Sequence, residues 1–405
     1  MDPGPLRDTR YEIDLDLVAH NVRTVRALLE EEHAPGERPR IAAVLKGDAY
    51  GFGATETAAV MLQEGVDVLA VACLPEALEL RRRYPGAPIM IMGHTPDEFL
   101  TTVVENRITP TVFRASQARV ISRAAERGQI RAPVHVKVET GMNRLGLEPD
   151  EGGLDEMRTM VGLPGVGLEG VFTHLALESE ESDQRQFRRF TGFLRALEEV
   201  GISIPVRHVC DSIGMLRYPR FRMDMVRLGA ILYGAPPLRT PYAGSLDIRV
   251  PFALKTRISR LRHLGPGEGV GYDFTWKAPQ TGAVLATLPL GYGDGYRRCL
   301  SNKAHVLVRG VAAPVVGLVS MDQCTADVSA VPGVREGDDV LLLGQDRQGA
   351  VPVLEMASWA DTNRNEILAG IGRRVPRVYT RSGEAAGMLD YSTWPESSGL
   401  QPRDG

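Results

Sequence analysis

From about residue 10 to residue 235 the chain alternates short apolar runs with longer stretches whose apolar residues recur at i, i+3 and i+4. The short runs read as strands at 41–45, 68–72, 88–92, 109–113, 134–138, 168–172, 206–209 and 231–233, each bounded by Gly, Pro or polar residues. Stretches between them, such as 75–82 and 184–200, have the period of helices that bury one face. Eight strand-helix units over about 200–250 residues predict a (β/α)8 barrel. A doubly wound sheet shares this alternation, and hydrophobic period alone does not separate the two.

After Gly234-Ala235-Pro236-Pro237 the pattern changes. Strands are predicted at 250–261, 282–288, 304–308, 313–319 and 339–343, separated by Gly and Pro turns, with a helical stretch at 353–369. The organisation expected is α/β: a (β/α)8 barrel domain over 1–240 and a C-terminal β-rich domain over 241–385. A tail over 386–405, with no sustained period, is expected to be poorly ordered.

Composition narrows the functional classes. With 43% hydrophobic and 24% charged residues over 405 positions, the chain is neither disordered nor fibrous. A net charge of −4 argues against a nucleic-acid surface. Cys73, Cys210, Cys299 and Cys324 are widely spaced, with no pattern suited to zinc, and read as reduced thiols; no metal site is expected. No apolar stretch approaches the roughly 18 residues of a membrane span, and the N-terminus does not resemble a signal peptide. A cytoplasmic protein without a membrane partner is therefore expected.

In a barrel of this kind function belongs at the C-terminal ends of the strands, and the unusual polar residues fall there. Lys46 directly follows the first apolar run. An amine held against an apolar strand loses hydration, its pKa falls, and it becomes a candidate Schiff-base or general-base group. Alone, such a lysine is more simply the start of an exposed loop. Lys137 and Arg144 bracket Val138-Glu139-Thr140-Gly141-Met142-Asn143, His174 follows Val171-Phe172-Thr173, and Asp211-Ser212 follows His208-Val209-Cys210. Ser212-Ile213-Gly214 and Leu228-Gly229-Ala230 place small residues where backbone N–H groups can face a phosphate. A lysine and a phosphate cradle on one barrel face suit pyridoxal 5'-phosphate. Nucleotide grips such as G-x-x-x-x-G-K-[ST] are absent from the sequence.

These segments, from about Tyr11 to Tyr379, resemble the alanine racemase family. Lys46-Gly47-Asp48-Ala49-Tyr50-Gly51-Phe52-Gly53 looks like its cofactor-lysine motif, Lys137 through Gly146 like its arginine motif, and Val226 through Gly234 like its cofactor-nitrogen motif. Gly271 through Trp276, Pro289 through Tyr296 and Val319 through Gln323 resemble motifs of its second domain. The resemblance implies pyridoxal 5'-phosphate bound through Lys46, with Tyr50, His174, Ser212, Arg227, Gly229 and Ala230 around it. It further implies Lys46 and Tyr272 as the two catalytic bases, with Arg144 and Met321 binding the substrate carboxylate. Lys137 stands where relatives carry a carbamylated lysine. A homodimer is also implied, in which Tyr272 reaches the partner's active site. The reaction implied is interconversion of L- and D-alanine for D-alanine biosynthesis.

Four positions depart from the family pattern: Leu318 replaces a common arginine, Asp211 an asparagine, Phe52 a histidine and Asn365 a tyrosine. Asn365 and Leu318 point toward another small amino acid such as serine. A biosynthetic epimerase or decarboxylase is the enzymatic alternative, and a cofactor-carrying barrel the non-enzymatic one. Retention of Lys46 and Tyr272 favours the racemase.

Overall fold

The computed structural model describes residues 6–34, 36–235 and 246–391. Two compact units emerge, one comprising 18–50 and 54–249, the other 1–17, 51–53 and 250–405.

The first unit is the expected barrel. Arg40–Val44 pairs in parallel with Val68–Val71, which pairs with Ile89–Ile91. A bridge between Met90 and Thr109 leads to Thr111–Val112, and parallel pairing continues through Ala132–Lys137, Val166–Phe172 and Val206–His208. Met225–Leu228 closes the ring, pairing with Arg40–Val44 and donating from Asp224 and Arg227 N–H groups to the carbonyls of Arg207 and Cys210. Its helices follow the apolar period, as in Leu74–Arg83 and Glu180–Glu199, the latter N-capped by Ser179 accepting from Ser182 N–H.

The eighth strand corrects the sequence reading. Residues 231–233 form a turn, and the strand is Met225–Leu228. Arg227 interrupts that apolar run, which made the uninterrupted Ile-Leu-Tyr triplet look the better strand. The residue that spoils the pattern is a buried cation.

The second unit centres on a sheet in the order Val311–Pro314, His305–Val308, Asp339–Asp346, Phe252–Arg257, Arg10–Asp14, Arg377–Arg381, Glu384–Leu389, with Gly349–Val351 pairing Asp339–Asp346. Arg10–Asp14 therefore belongs here and not to a barrel domain over 1–240 as expected; it runs parallel to Arg377–Arg381. Residues 51–53 also belong to this unit, held where Arg377 Nε donates to Gly51 O at 2.9 Å and Tyr379 Oη to Phe52 O at 2.9 Å. The predicted 250–261 strand divides into Phe252–Arg257 and Arg260–Leu264, and the helical stretch into Val353–Trp359 and Arg364–Ala369. Glu384–Leu389 is a strand, against the expectation of a poorly ordered tail from 386. The remainder of that tail, from 392, lies outside the described residues, as does the 240/241 domain boundary.

Candidate active site

Lys46 follows the first barrel strand, and the next four residues take left-handed backbone angles: Gly47 (φ 64°), Asp48 (54°), Ala49 (54°) and Tyr50 (56°). Such a conformation costs about 1–2 kcal/mol for each residue bearing a Cβ. It is held locally by Ala49 N–H donating to Leu45 O at 2.7 Å and by Asp48 Oδ1 accepting from Ala54 N–H at 2.8 Å. Glu76 supports the same turn from the first turn of Leu74–Arg83, its carboxylate accepting from the N–H groups of Gly47 (2.7 Å) and Ala72 (2.9 Å). Lys46 opens to solvent at the barrel mouth. Partial burial and then repulsion from Arg144 hold its amine below the ordinary lysine pKa, against the opposing pull of Glu76 and Asp211.

Arg227, on the eighth strand, is buried. Its Nη1 donates to His208 Nδ1 at 2.7 Å, and Nη2 to the carbonyls of Thr173 (2.8 Å) and Val209 (2.7 Å) and toward His174 Nδ1 at 3.2 Å. All four acceptors are neutral. Burial, then the positive charges of Arg227, Lys137, Arg144 and Lys46, push the His174 pKa down to about 2, so its imidazole is uncharged at neutral pH.

Lys137 ends the fifth barrel strand and is buried against the Phe172 ring, 5.4 Å from its centroid. Its Nζ donates to Val138 O at 3.3 Å, and burial followed by repulsion from Arg227 lowers its pKa to about 7. Arg144 is exposed on a loop that folds back on Glu139, which accepts from Gly141 N–H (2.6 Å) and Arg144 N–H (3.1 Å). Burial alone would raise the Glu139 pKa, yet these backbone donors bring it below the ordinary value.

Ser212, Gly229, Ala230 and Tyr50 meet at the end of the seventh and eighth strands. Gly229 N–H donates to Ser212 Oγ at 3.1 Å, and a Cβ on Gly229 would stand 2.5 Å from Tyr50 Oη. Gly229→Ala must displace the tyrosine, so affinity for the pyridoxal 5'-phosphate that the family resemblance implies is expected to fall about tenfold or more. A titration of cofactor binding by fluorescence checks this.

Asp211 has a plain role. Its Oδ1 accepts from the N–H groups of Ile213 and Gly214, both at 2.9 Å, and so caps Ser212–Arg217. Asparagine accepts equally well, and Asp211→Asn should barely change stability. Asp211→Ala is expected to cost about 0.5–2 kcal/mol in unfolding experiments.

Tyr272 and Met321 lie in the β-rich unit. Tyr272 sits at the tip of a hairpin formed by Gly269–Val270 and Trp276–Lys277 and is 67% exposed. Val270 and Trp276 pack over Leu264, Ala278, Ala283, Leu285 and Val316, giving that tip an apolar base. Met321 is also exposed, and its carbonyl accepts from Gly293 N–H at 2.9 Å. Phe52, the histidine replacement, is buried edge-on to Tyr11 and Phe252, both at 5.5 Å. Asn365 is exposed on the first turn of Arg364–Ala369, and Leu318 is half-buried.

The barrel thus brings together Lys46, Tyr50, Lys137, His174, Ser212, Arg227, Gly229 and Ala230, with Arg144 on the adjoining loop. Sequence reasoning missed Glu76, Glu139, His135 and His208. The signal for His135 was present, since it interrupts an apolar strand, whereas His208 ends the short strand Val206–His208 directly after Arg207.

Comparison with known proteins gives one answer throughout. Residues 13–237 match the family model "Alanine racemase, N-terminal domain" and 252–379 "Alanine racemase, C-terminal domain". A curated alanine racemase of Desulforamulus reducens is 41% identical over 373 residues, covering 91% of this chain and 98% of the relative. The solved alanine racemase of Clostridium difficile 630 superposes with a TM-score of 0.89 at 34% identity, covering 95% of this chain and 99% of that one. A Bartonella henselae alanine racemase solved with covalently bound pyridoxal phosphate has a TM-score of 0.81 at 26% identity, covering 92% and 99%.

Proposed function

This chain belongs to the alanine racemase family, and from that premise we propose that it interconverts L- and D-alanine with pyridoxal 5'-phosphate, using Lys46 and Tyr272 as bases on opposite faces of the substrate. The observation that carries the reading is the convergence of Lys46, Arg227 and the Ser212–Gly229–Ala230 cradle on one barrel mouth.

The residues present fit the cofactor. The buried Arg227 side chain directs its Nη groups to four acceptors and, among the described residues, leaves Nε without one, a donor suited to a ring nitrogen. Among the described residues Ala230 N–H likewise has no acceptor, and it follows Gly229, which meets Ser212 and Tyr50, as a phosphate cradle requires. When bound, pyridoxal 5'-phosphate supplies an electron sink that makes the α-proton of an amino acid acidic.

The chain's own groups do the rest. Burial and the Arg144 charge hold the Lys46 pKa below the ordinary value, which favours the free amine at Nζ that accepts and returns a proton on one face. Tyr272 Oη holds the proton on the other, and Arg144 orients the substrate carboxylate with the backbone at Met321. Arg227, permanently charged, discourages protonation of the ring nitrogen and weakens the sink, which favours simple proton return over competing chemistry. Lys137 fits a carbamate: an amine with pKa about 7 is largely neutral above that pH and able to take up carbon dioxide. With 13C-bicarbonate a carbamate resonance is expected above neutrality and not below it. Its persistence in Lys137→Arg would reject that assignment.

A homodimer completes the site. Of the exposed large apolar side chains among the described residues, Tyr272, Phe274, Tyr292 and Met321 all lie on the β-rich unit. A second copy covering them accounts for their exposure. Among the described residues no helix is long and apolar enough to cross a membrane. The direct test of function is purified protein with cofactor and individual L-amino acids, resolved by chiral chromatography. D-alanine is expected to form fastest. D-serine forming faster would move the substrate to that predicted by Asn365, and carbon dioxide release would indicate a decarboxylase.

A further inference from the structure

The interior of the barrel holds a polar chain that the reaction as described does not use. It starts at Arg227 Nη1, passes to His208 Nδ1 at 2.7 Å, continues from His208 Nε2 to His135 Nδ1 at 2.8 Å, and meets Glu169 from His135 Nε2 at 3.4 Å. Both rings are buried, and His208 stacks flat on Phe172 at 4.6 Å. Space for the His135 ring comes from Gly170, where a Cβ would stand 2.5 Å from His135 Cε1.

The direction of every proton in this chain follows from its first member. A guanidinium only donates, so His208 Nδ1 must accept and the His208 proton sits on Nε2. That proton requires His135 Nδ1 to accept, which puts the His135 proton on Nε2, facing the Glu169 carboxylate. The donors therefore all run one way, from a buried cation to an acid. Among the described residues no carboxylate is hydrogen-bonded to Arg227; Asp211 is the nearby acid whose charge favours the guanidinium through space. Glu169 is the acid on which its chain of hydrogen bonds ends.

Glu169 lies toward the opposite end of the barrel from Lys46. There, with Arg40, Thr109 and His135, it lines a small cavity with about 20 Å³ open to water, whose other walls include Val68 and Met225 at the starts of their strands. That is room for about one water molecule. Thr109 Oγ1 donates to the same carboxylate at 3.3 Å, and Arg40 faces it.

We propose that Glu169 is a positioning residue for Arg227, acting through the His135–His208 relay to fix both imidazole tautomers and so to orient the buried guanidinium from the far end of the barrel. The relay moves no proton, because Arg227 does not give one up; it polarises and orients. Its effect on the cofactor contact rests on the racemase reading above, whereas the relay itself is a property of the barrel.

The test uses 15N-histidine-labelled holoenzyme and the cofactor-free protein, each as wild type, Glu169→Gln and Glu169→Asp. In wild type both His135 and His208 should be neutral with the proton on Nε2. Glu169→Gln keeps the acceptor and removes the charge, so both Nε2–H resonances should move upfield, that of His135 more. Glu169→Asp should leave the His208 resonance nearer to wild type. In the holoenzyme kcat should fall about tenfold in Glu169→Gln, with KM changed less than about twofold. An unchanged His208 resonance in Glu169→Gln, or an Nδ1-protonated His208 in wild type, overturns the relay. Failure of the wild type to racemise alanine while His208 still responds to Glu169 leaves the relay standing and removes only the enzymatic reading.

Discussion

A Lys46→Ala protein is expected to interconvert the alanine enantiomers at least about 10⁴-fold more slowly than wild type, because under the function proposed one substitution removes both the covalent attachment of the cofactor and a base. Stability should hardly change, since the Lys46 side chain opens to solvent and the turn after it is held by backbone donors to Leu45, Asp48 and Glu76. Chiral chromatography reads the loss, and borohydride reduction followed by intact mass reads the missing attachment. Racemisation at the wild-type rate would remove the proposed mechanism.

The second large effect concerns one face only. Tyr272→Phe should slow α-deuterium uptake by about 10²–10⁴-fold for one enantiomer of alanine, while the other, whose proton leaves toward Lys46, loses far less. Mass spectrometry of each enantiomer incubated in deuterium oxide measures this. Equal losses would count against two bases. Folding is not at issue, because the tyrosine is exposed at a hairpin tip whose apolar base is supplied by Val270 and Trp276.

The barrel was legible in the sequence because its strands are continuous apolar runs and its helices amphipathic, two periods that local composition sets. Polar residues just past those runs, Lys46 and His174 among them, marked the mouth. The eighth strand was misplaced because Arg227 breaks its apolar run, so the feature that gives the strand its role hid it. Nonlocal pairing was also hidden. Arg10–Asp14 precedes the barrel in sequence yet pairs in parallel with Arg377–Arg381, and nothing within five residues of chain reports a partner that remote.

Backbone conformation was less visible still. Asp48, Ala49 and Tyr50 give no sign of positive φ, since their angles are imposed by the hydrogen bonds that hold the turn. The motif around Lys46 was recognised as a string of residue types, and its geometry came only with the fold. Asp211 shows the reverse case. As a departure from the family's asparagine it suggested altered chemistry, and its bonds to Ile213 and Gly214 show an acceptor role that either residue fills.

The central claim is that Lys46 of one copy works with Tyr272 of another, and subunit mixing tests it most directly. Lys46→Ala and Tyr272→Phe proteins, each inactive in racemisation alone, are unfolded together, refolded and assayed. In a mixed dimer with shared sites one site carries both lesions and the other neither, so random assembly should restore about a quarter of wild-type activity. If each lysine is served by the tyrosine of its own chain, every site keeps one lesion, and a mixture as inactive as its components would contradict the account.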